Sequence, residues 1–210
     1  MKIGVLGTGH VGGTLGARWA QNGHDVLFGS RDPQSEKAAR LMETAGESAR
    51  IGSVAEAASH GDVVLLASPW STIQETIEAA GDLSGKVVID CINPINATFT
   101  GLDLGHTESG AEKIAEWAPG AKVVKAFNTV SAATMKDADY GEHQAAVFFC
   151  GDDEGAKETV RQLAEELGLD PVDSGELAMA RYLEPFAMLY IKVAIGQKWG
   201  GNFAFKVLRR

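Results

Sequence analysis

The chain has 210 residues, a net charge of −9 and a hydrophobic content of 45%. These values predict one domain with a large core, extended by a small C-terminal segment. An acidic chain without a basic stripe is a poor partner for nucleic acid or an anionic membrane, and no uncharged run reaches the ~18 residues of a membrane span.

A glycine-rich turn follows the first apolar run, which covers residues 2–6 and is predicted to be a buried strand. Apolar residues at helical spacing follow the turn. A strand, a glycine turn and a helix in this order are typical of a dinucleotide fingerprint. Gly7 permits the tight turn, Gly9 lets a pyrophosphate approach the backbone, and Gly12 allows close helix packing. The turn leads into the positive end of the helix, which favours phosphate. The predicted cofactor-binding residues here are Gly7, Thr8, Gly9, His10, Val11 and Gly12. The alternative is a glycine turn that binds nothing.

The end of the second predicted strand, residues 25–28, is where such folds select the dinucleotide. An acidic residue there binds the ribose of NAD, whereas Arg accommodates the 2′-phosphate of NADP. Ser30 can donate a hydrogen bond, Arg31 can form a forked contact with phosphate, and Lys37 adds a point charge. These residues favour NADP(H), and a solvated surface charge is the alternative role for Arg31.

Asp32 is the contrary observation, because it lies about twenty residues beyond the fingerprint, where NAD-binding chains carry an acid. It also lies beyond the strand end and beside Pro33, which is expected to begin the second helix. Asp32 is therefore interpreted as the cap of that helix, and NADP(H) remains the predicted cofactor.

Apolar runs alternate with helical segments along the rest of the chain, as in a parallel sheet that is covered on both faces. The predicted strands are residues 50–51, 62–67, 86–91, 123–128, 145–150 and 171–173, and the predicted helices are residues 54–59, 71–80, 109–117 and 154–167. Right-handed crossovers between these units predict an α/β fold with a doubly wound parallel sheet of the Rossmann, NAD(P)-binding type.

The C-terminal segment has a different character. We place an NADP-binding Rossmann domain at residues 1–174 and a small C-terminal helical cap at residues 175–210. Glu184 and Pro185 are predicted to begin a helix. Apolar residues at helical spacing follow, and an aromatic tail ends the chain; the residues concerned are Phe186, Leu189, Tyr190, Val193, Phe203 and Phe205. This apolar surface exceeds what a short cap buries internally, so we expect a homodimer built partly from it.

Polar and aromatic residues follow three of the predicted strands, at the carboxyl ends where doubly wound folds bind ligands. These residues are Ser68, Pro69, Trp70, Asn93, Phe127, Asn128 and Thr129. One of the two aromatic rings is expected to stack near a nicotinamide, and the amides and the Thr hydroxyl are expected to bond its carboxamide or the acceptor. The alternative for Trp70 is a core aromatic residue whose N–H has a partner nearby.

The sequence assigns no catalytic residue and no metal site. The five histidines lack ligand spacing, and no nucleophile–base pair is evident. Cys91 and Cys150 each end an apolar run and have no CxxC spacing, so we predict buried thiols in a reducing cytoplasm. No signal peptide precedes the first strand, which supports the same cytoplasmic location.

Seven stretches carry a family resemblance, in order over nearly the whole chain: GTGHVG, GSRDP, SPW, VVKAFNTV, CGDDEGAK, DSGELAMARYLEP and NFAFKVL. In them the chain resembles the NADPH-dependent deazaflavin (coenzyme F420) reductases, also called F420:NADP oxidoreductases. That family shares its dinucleotide domain with the intracellular domain of the STEAP metalloreductases. The resemblance implies NADP binding by Thr8 to Val11, Ser30, Arg31, Lys37, Pro69, Trp70 and Ala126.

The resemblance also implies a reaction, hydride transfer between NADP(H) and a small-molecule acceptor of the deazaflavin or flavin type, coenzyme F420 or a flavin. Two cofactor rings at contact distance supply the reactivity, which agrees with the missing acid–base set. A 2-hydroxyacid or imine reductase needs a large helical domain, for which this chain has no room. Archaeal members carry His at the position of Asn128, which leaves the acceptor open. A non-catalytic NADP-binding redox sensor or partner module is the alternative from another class.

Overall fold

The computed structural model describes residues 1 to 210 and contains one eight-stranded sheet. The strands are β1 (Lys2–Leu6), β2 (Asp25–Gly29), β3 (Ala49–Gly52), β4 (Val63–Leu66), β5 (Val87–Asp90), β6 (Lys122–Lys125), β7 (Ala146–Gly151) and β8 (Asp170–Asp173). The helices are α1 (His10–Gln21), α2 (Glu36–Ala45), α3 (Val54–His60), α4 (Ile73–Ala80), α5 (Gly110–Trp117), α6 (Ala132–Lys136), α7 (Glu154–Glu165) and α8 (Ala180–Gly196). The sheet order is β3-β2-β1-β4-β5-β6-β7-β8. The predicted doubly wound α/β fold is therefore confirmed, and its strand order reverses between β1 and β4, where such folds bind ligands.

One edge of the sheet differs from the expectation of parallel strands throughout. Strands β1 to β6 are parallel, whereas β7 is antiparallel to β6 and β8 is parallel to β7. The connection from β6 to β7 contains only the five-residue α6, which packs beside α1. Because no long helix returns the chain to the opposite edge, β7 begins near the end of β6 and runs back alongside it.

Apolar side chains fill both faces of the sheet. Helices α1, α2, α6 and α7 cover one face, where Trp19 and Phe28 are the largest buried rings. Helices α3, α4, α5 and α8 cover the other face, whose core includes Ile73, Ile114 and Leu183. Since α8 shares this core with the sheet, the C-terminal segment is anchored to the fold, and the boundary at residue 174 stays a prediction.

Helix α2 begins at Glu36 rather than at Pro33. The hydroxyl of Ser35 caps this helix by accepting a hydrogen bond from the backbone of its third residue, as Ser commonly does at this position. Asp32 is therefore not the helix cap: its carboxylate accepts a hydrogen bond from the N–H of Gln34 at 3.3 Å within the preceding turn, which is a common local pairing for Asp.

Helix α8 begins at Ala180 rather than at Glu184, so Pro185 lies inside the helix. A 3-10 helix at Leu177–Met179 leads directly into it. Pro185 has no N–H for the carbonyl of Arg181, which normally disfavours such a position. Burial of Ala180 in the second core places the helix start one turn earlier than local sequence preferences indicate.

The aromatic residues of α8 and of the C-terminal tail pack largely on one another within the chain. The rings of Tyr190 and Phe203 stack with centroids 4.3 Å apart, and those of Phe186 and Phe205 lie 4.6 Å apart. Only Leu189 of the predicted apolar stripe is exposed. The segment thus buries more of its apolar surface internally than the sequence indicates.

The close contact between α1 and β2 yields a stability prediction. A Cβ on Gly16 would lie 2.4 Å from the buried ring of Phe28, whereas a Cβ on Gly13 would lie 3.4 Å from Leu41. We expect Gly16→Ala to lower the free energy of unfolding by about 1–3 kcal/mol through overpacking. Urea denaturation measures this change. Gly13→Ala in the same helix is the control and is expected to be about 0.5–1 kcal/mol more stable than the wild type; equal stability of the two variants would contradict the packing argument.

Candidate functional site

The glycine turn between β1 and α1 forms an open cradle. Gly7 has a φ of 122°, and a Cβ there would lie 2.6 Å from the carbonyl carbon of Ala67. A Cβ on Gly12 would lie 2.1 Å from the carbonyl oxygen of Gly7, whereas a Cβ on Gly9 would meet no atom within 4 Å. The turn is packed against the ends of β1 and β4 and is open above Gly9, which is the space that a pyrophosphate requires.

The first turn of α1 directs free N–H groups at this cradle. Gly9 begins the helix without a side-chain hydrogen bond, and the first turn contains no acidic residue. The first helical hydrogen bond runs from the N–H of Gly13 to the carbonyl of Gly9, at 2.8 Å, so the N–H groups of residues 10–12 have no protein partner. With the positive end of the helix dipole, they are suited to a phosphate.

Unpaired cations stand after the end of β2. Arg31 and Lys37 are exposed, and neither forms an ion pair, whereas Arg40 on the next turn of α2 pairs with Glu36. The hydroxyl oxygen of Ser30 accepts a hydrogen bond from the backbone of residue 32 at 3.1 Å and keeps its own proton for another acceptor. This group is suited to a phosphate monoester beside the cradle.

Two residues expected at the strand ends line no accessible surface. Phe127 is 1% exposed and packs edge-on against Trp19, and Ala126 is fully buried. Sequence reasoning extended β6 through residue 128, but the strand ends at Lys125 and Phe127 adopts a φ of 62°. Because this left-handed backbone turns the ring inward, a stacking role for Phe127 and a surface contact by Ala126 are not supported.

The residues at the end of β4 stand closer to the cradle. The hydroxyl of Ser68 donates to the carbonyl of Leu6 at 3.3 Å, Pro69 is exposed, and Trp70 is half-buried. The ring of Trp70 packs on that of Trp117 with centroids 5.6 Å apart. The face of Trp70 in this contact agrees with the alternative that Trp70 is a core aromatic residue.

Two amide side chains meet where β5 and β6 end. The Nδ2 of Asn128 donates to Oδ1 of Asn93 at 3.0 Å and to the carbonyl of Leu183 at 3.1 Å. The Nδ2 of Asn93 donates to the backbone carbonyl of Asn128 at 3.2 Å. Two buried side-chain atoms in the protein have no hydrogen-bond partner, Oδ1 of Asn128 and Oγ1 of Thr129. A buried polar atom without a partner costs about 1–3 kcal/mol, so the free acceptor on Asn128 is suited to an N–H donor such as a carboxamide.

A buried ion cluster is formed by the last residues of β5 and β6, each of them three positions before one residue of the amide pair. The ammonium of Lys125 donates to Oδ2 of Asp90 at 2.8 Å, to Oε1 of Glu184 at 2.7 Å and to the carbonyl of Ile92. All three ionisable side chains are fully buried. Burial alone lowers the pKa of Lys125, but the adjacent carboxylates of Asp90 and Glu184 outweigh burial and raise the pKa above its usual value.

The remaining carboxylate oxygens of the ion cluster also have partners. Oδ1 of Asp90 accepts from the N–H of Ile92 at 2.8 Å. The carboxylate of Glu184 accepts from the first N–H groups of α5, those of Gly110 at 2.9 Å and Ala111 at 3.2 Å. The helix dipole of α5 therefore offsets the excess negative charge of the cluster.

A groove of about 420 Å³ separates α8 from the loop after β5. Its lining residues are Leu102, Asp103, Leu104, Gly105, His106, Pro185, Met188, Leu189 and Lys192. The loop is tied to the end of β5 by a hydrogen bond from the N–H of Asp103 to the carbonyl of Pro94 at 2.7 Å. The groove thus lies on the amide-pair side of the site. A second, smaller cavity, about 160 Å³, lies by residues 23–25 at the amino end of β2, away from the cradle.

Comparison with known proteins identifies the family. Residues 2–94 match the family model described as NADP oxidoreductase, coenzyme F420-dependent. Over 209 residues the chain is 31% identical to the F420-dependent NADP reductase of Methanothermobacter marburgensis, and the match covers 93% of each chain. The chain belongs to the family of F420-dependent NADP reductases. The resemblance predicted from the sequence is confirmed.

A solved structure and a metalloreductase are also similar to this reductase family member. It is similar to a crystal structure from Arthrobacter sp. FB24, whose suggested function is F420-dependent NADP reduction, with a TM-score of 0.91, 32% identity and 100% coverage of both chains. It is also 34% identical over 183 residues to the metalloreductase STEAP3 of Rattus norvegicus, a match that covers 87% of this chain and 36% of that relative. The chain therefore spans only about a third of the metalloreductase's length.

The ion cluster of this reductase family member was missed by sequence reasoning. Asp90 and Lys125 each end a run of valine and isoleucine, in the stretches VVID and VVK. A charge at the end of a buried parallel strand requires a partner or a pKa shift, and that pattern alone indicates a buried ion pair. The third member, Glu184, lies in a helical stretch and had no comparable pattern. No group of three potential metal ligands is present, and no helix is long and apolar enough to cross a membrane.

The ion cluster yields a second stability prediction. Lys125→Met is expected to lower the free energy of unfolding by about 3–5 kcal/mol, because removing one partner of a buried ion pair leaves an uncompensated buried charge. Urea denaturation at neutral pH measures the loss. Lys122→Met is the control, because Lys122 lies on the same strand and pairs with Asp153 at the surface, where the two side chains are 44% and 36% exposed; a loss of about 1 kcal/mol or less is expected there. Equal losses in the two variants would contradict the role assigned to Lys125.

Proposed function

We propose that this chain transfers a hydride between NADP(H) and a small planar acceptor, coenzyme F420 or a flavin. The observation that carries the proposal is one edge of the sheet that holds both an open phosphate cradle at Gly9 and the amide pair beside a groove. The names of the relatives, F420-dependent NADP reductases, support the same pair of reactants.

The cradle and the cations after β2 would hold the phosphates of NADP(H). Residues 7–12 present backbone N–H groups to the pyrophosphate, and Gly9 leaves the space for it. Arg31 and Lys37 would pair with the 2′-phosphate, and Ser30 would donate a hydrogen bond to it. A free carboxylate in their place would select NAD, but the carboxylate of Asp32 is engaged with its own turn.

The amide pair would hold the nicotinamide end. Oδ1 of Asn128 has no partner and would accept from the carboxamide NH₂, while Asn93 keeps the Asn128 side chain in place through a hydrogen bond of 3.0 Å. Ser68, Pro69 and Trp70 at the end of β4 would border the same region. These assignments use only hydrogen bonds and close packing, which is what the positioning of a redox ring requires.

The groove between α8 and the loop after β5 would receive the acceptor. Its volume of about 420 Å³ lies in the range of small-molecule sites, and its lining of apolar residues with a few polar groups is typical of them. The ionisable groups on its lining are Asp103, His106 and Lys192, of which the last two suit the anionic part of an acceptor. An open groove of this size favours the enzyme over the alternative of a redox sensor, because only the enzyme needs space for an acceptor.

When bound, NADPH supplies the hydride and the acceptor ring takes it up. The protein's own nucleophiles are unsuited to a covalent step: burial raises the pKa of Cys91 and of Cys150 to about 12, so both thiols stay protonated at neutral pH. The chain would bind and orient the two reactants and would exclude water from them. Both buried thiols are unpaired, which supports a reducing compartment, and we propose the cytoplasm.

The experiment that tests this function is an NADPH oxidation screen against coenzyme F420, FMN, FAD and ferric chelates. We expect turnover with the deazaflavin or a flavin. Deuterium on one face of C4 of NADPH is expected to appear in reduced F420 without loss to water, because transfer is direct and no enzyme group carries the hydride. Mass spectrometry measures the label. Loss of label to solvent or ping-pong kinetics would contradict direct transfer, and NADPH binding without turnover on any acceptor would favour the redox sensor.

Arg31 is expected to discriminate NADPH from NADH. A hydrogen bond to a charged group contributes about 1.5–3 kcal/mol, so Arg31→Ala should weaken NADPH binding by about 10- to 150-fold. NADH binding should hardly change. Titration calorimetry measures both dissociation constants. Arg40→Ala is the control, because Arg40 is paired with Glu36 on the surface of α2 and should leave both constants unchanged. Equal losses for the two cofactors in Arg31→Ala would show that Arg31 has a structural role.

We also propose a homodimer. Six of the eight exposed large apolar side chains lie between residues 179 and 208, and they include Tyr182, Leu189 and Ile195 on α8. A cluster of exposed apolar residues on one element is typical of an interface. Light scattering at micromolar concentration is expected to give twice the 22.2 kDa chain mass, and Leu189→Asp is expected to give the monomer. A monomeric wild type would contradict the proposal.

A further inference from the structure

The ion cluster of Lys125, Asp90 and Glu184 connects the parts of the chain that form the proposed nicotinamide and acceptor sites. Lys125 binds the carbonyl of Ile92, the residue before Asn93. Glu184 follows Leu183, whose carbonyl accepts from Asn128. Pro185, the next residue, lines the groove. Two residues that take part in the contacts of the cluster, Ile92 and Glu184, are therefore one position away in the chain from residues of the site.

Stability alone does not account for this cluster. Replacing a buried ion pair by apolar residues of similar volume is often neutral or stabilising, and both β5 and β6 are otherwise apolar where they are buried. A fully hydrogen-bonded cluster does fix the relative positions of its residues, because hydrogen bonds form only within a narrow range of distances and angles. Here all three protons of the ammonium have acceptors.

The backbone beside the cluster supports the same conclusion. Phe127 has a φ of 62°, a conformation that is costly for a bulky residue and persists only when the surroundings enforce it. The cluster holds the chain two residues earlier, at Lys125, and the amide of Asn128 is held one residue later. The strained residue thus lies between two fixed points, and it directs the Asn128 side chain at Asn93 and Leu183.

We propose that Lys125, Asp90 and Glu184 are positioning residues of the hydride-transfer site. They fix α8 against the ends of β5 and β6, and so align the groove wall on α8 with the amide pair. Only the kinetic consequence of this proposal rests on the proposed function. The phosphate cradle lies on the other side of β4, so the cluster affects acceptor alignment and leaves the binding of the adenosine and pyrophosphate parts of NADP(H) unchanged.

Glu184→Asp tests this positioning role. The variant keeps the charge but is one methylene shorter, so it cannot reach Lys125 and the α5 N–H groups together unless α8 moves. We expect kcat/KM for the acceptor to fall by about 10- to 100-fold, as for other small misalignments of reacting groups. The dissociation constant of 2′-phospho-ADP-ribose, which contains the adenosine and pyrophosphate but no nicotinamide, is expected to stay within about twofold of the wild-type value, since the cradle lies outside the cluster.

A readout without any ligand comes from the side-chain amide of Asn128. Its ¹H–¹⁵N resonances, assigned by their absence in Asn128→Asp, are expected to exchange slowly with solvent in the wild type, because both protons are hydrogen-bonded. In Glu184→Asp they are expected to shift and to exchange faster. Asp90→Asn, which is isosteric and removes one charge of the cluster, serves for the same measurements if Glu184→Asp does not fold.

The control is Val160→Ala, which removes buried methyl groups from α7 in the opposite core and destabilises without touching the cluster. Kinetic losses in Glu184→Asp that only follow the unfolded fraction, as in this control, would overturn the positioning role. An unchanged Asn128 amide would overturn it as well. If the wild type reduces no acceptor, the proposed function fails, and the amide resonances still decide whether the cluster positions Asn128.

Discussion

The close approach of α1 to the ends of β1 and β4 is the constraint on which the rest of the site depends. It exists because Gly7 and Gly12 carry no side chain: a Cβ at either position would lie within 2.6 Å of a backbone atom. The approach places the free N–H groups of α1 at the point where the strand order reverses. An anion bound there lies over the sheet edge, within reach of both halves of the fold.

The two ends of the proposed site are built by different physical means. At the phosphate end the groups are backbone N–H donors and two exposed cations, Arg31 and Lys37, which need little support from the core. At the nicotinamide end the groups are the amides of Asn93 and Asn128, whose orientation depends on a buried ion cluster and on a strained residue. Phosphate binding and ring alignment are therefore expected to be separable, because the two ends share no residue.

The C-terminal segment contributes both to the core of the fold and to the proposed site. Helix α8 contributes Leu183 to the second core, Glu184 to the ion cluster and Pro185 to the groove, in three consecutive residues. The aromatic rings that follow pack on the tail of the same chain and hold the far end of the helix. A segment that sequence reasoning treated as a cap thus contributes residues to the proposed site.

The sequence by itself determined the fold class, the glycine cradle and the cations after β2, because each depends on residues that are neighbours in the chain. The tertiary structure decided the rest. The amide pair joins positions 35 residues apart, and the bond from Asn128 to Leu183 spans 55. Lys125 and Glu184 are separated by 59 residues, and no local pattern reveals such a pairing. The inward turn of Phe127 likewise involves a distant element, because its ring packs on Trp19 of α1, and this packing overrides the local strand preference.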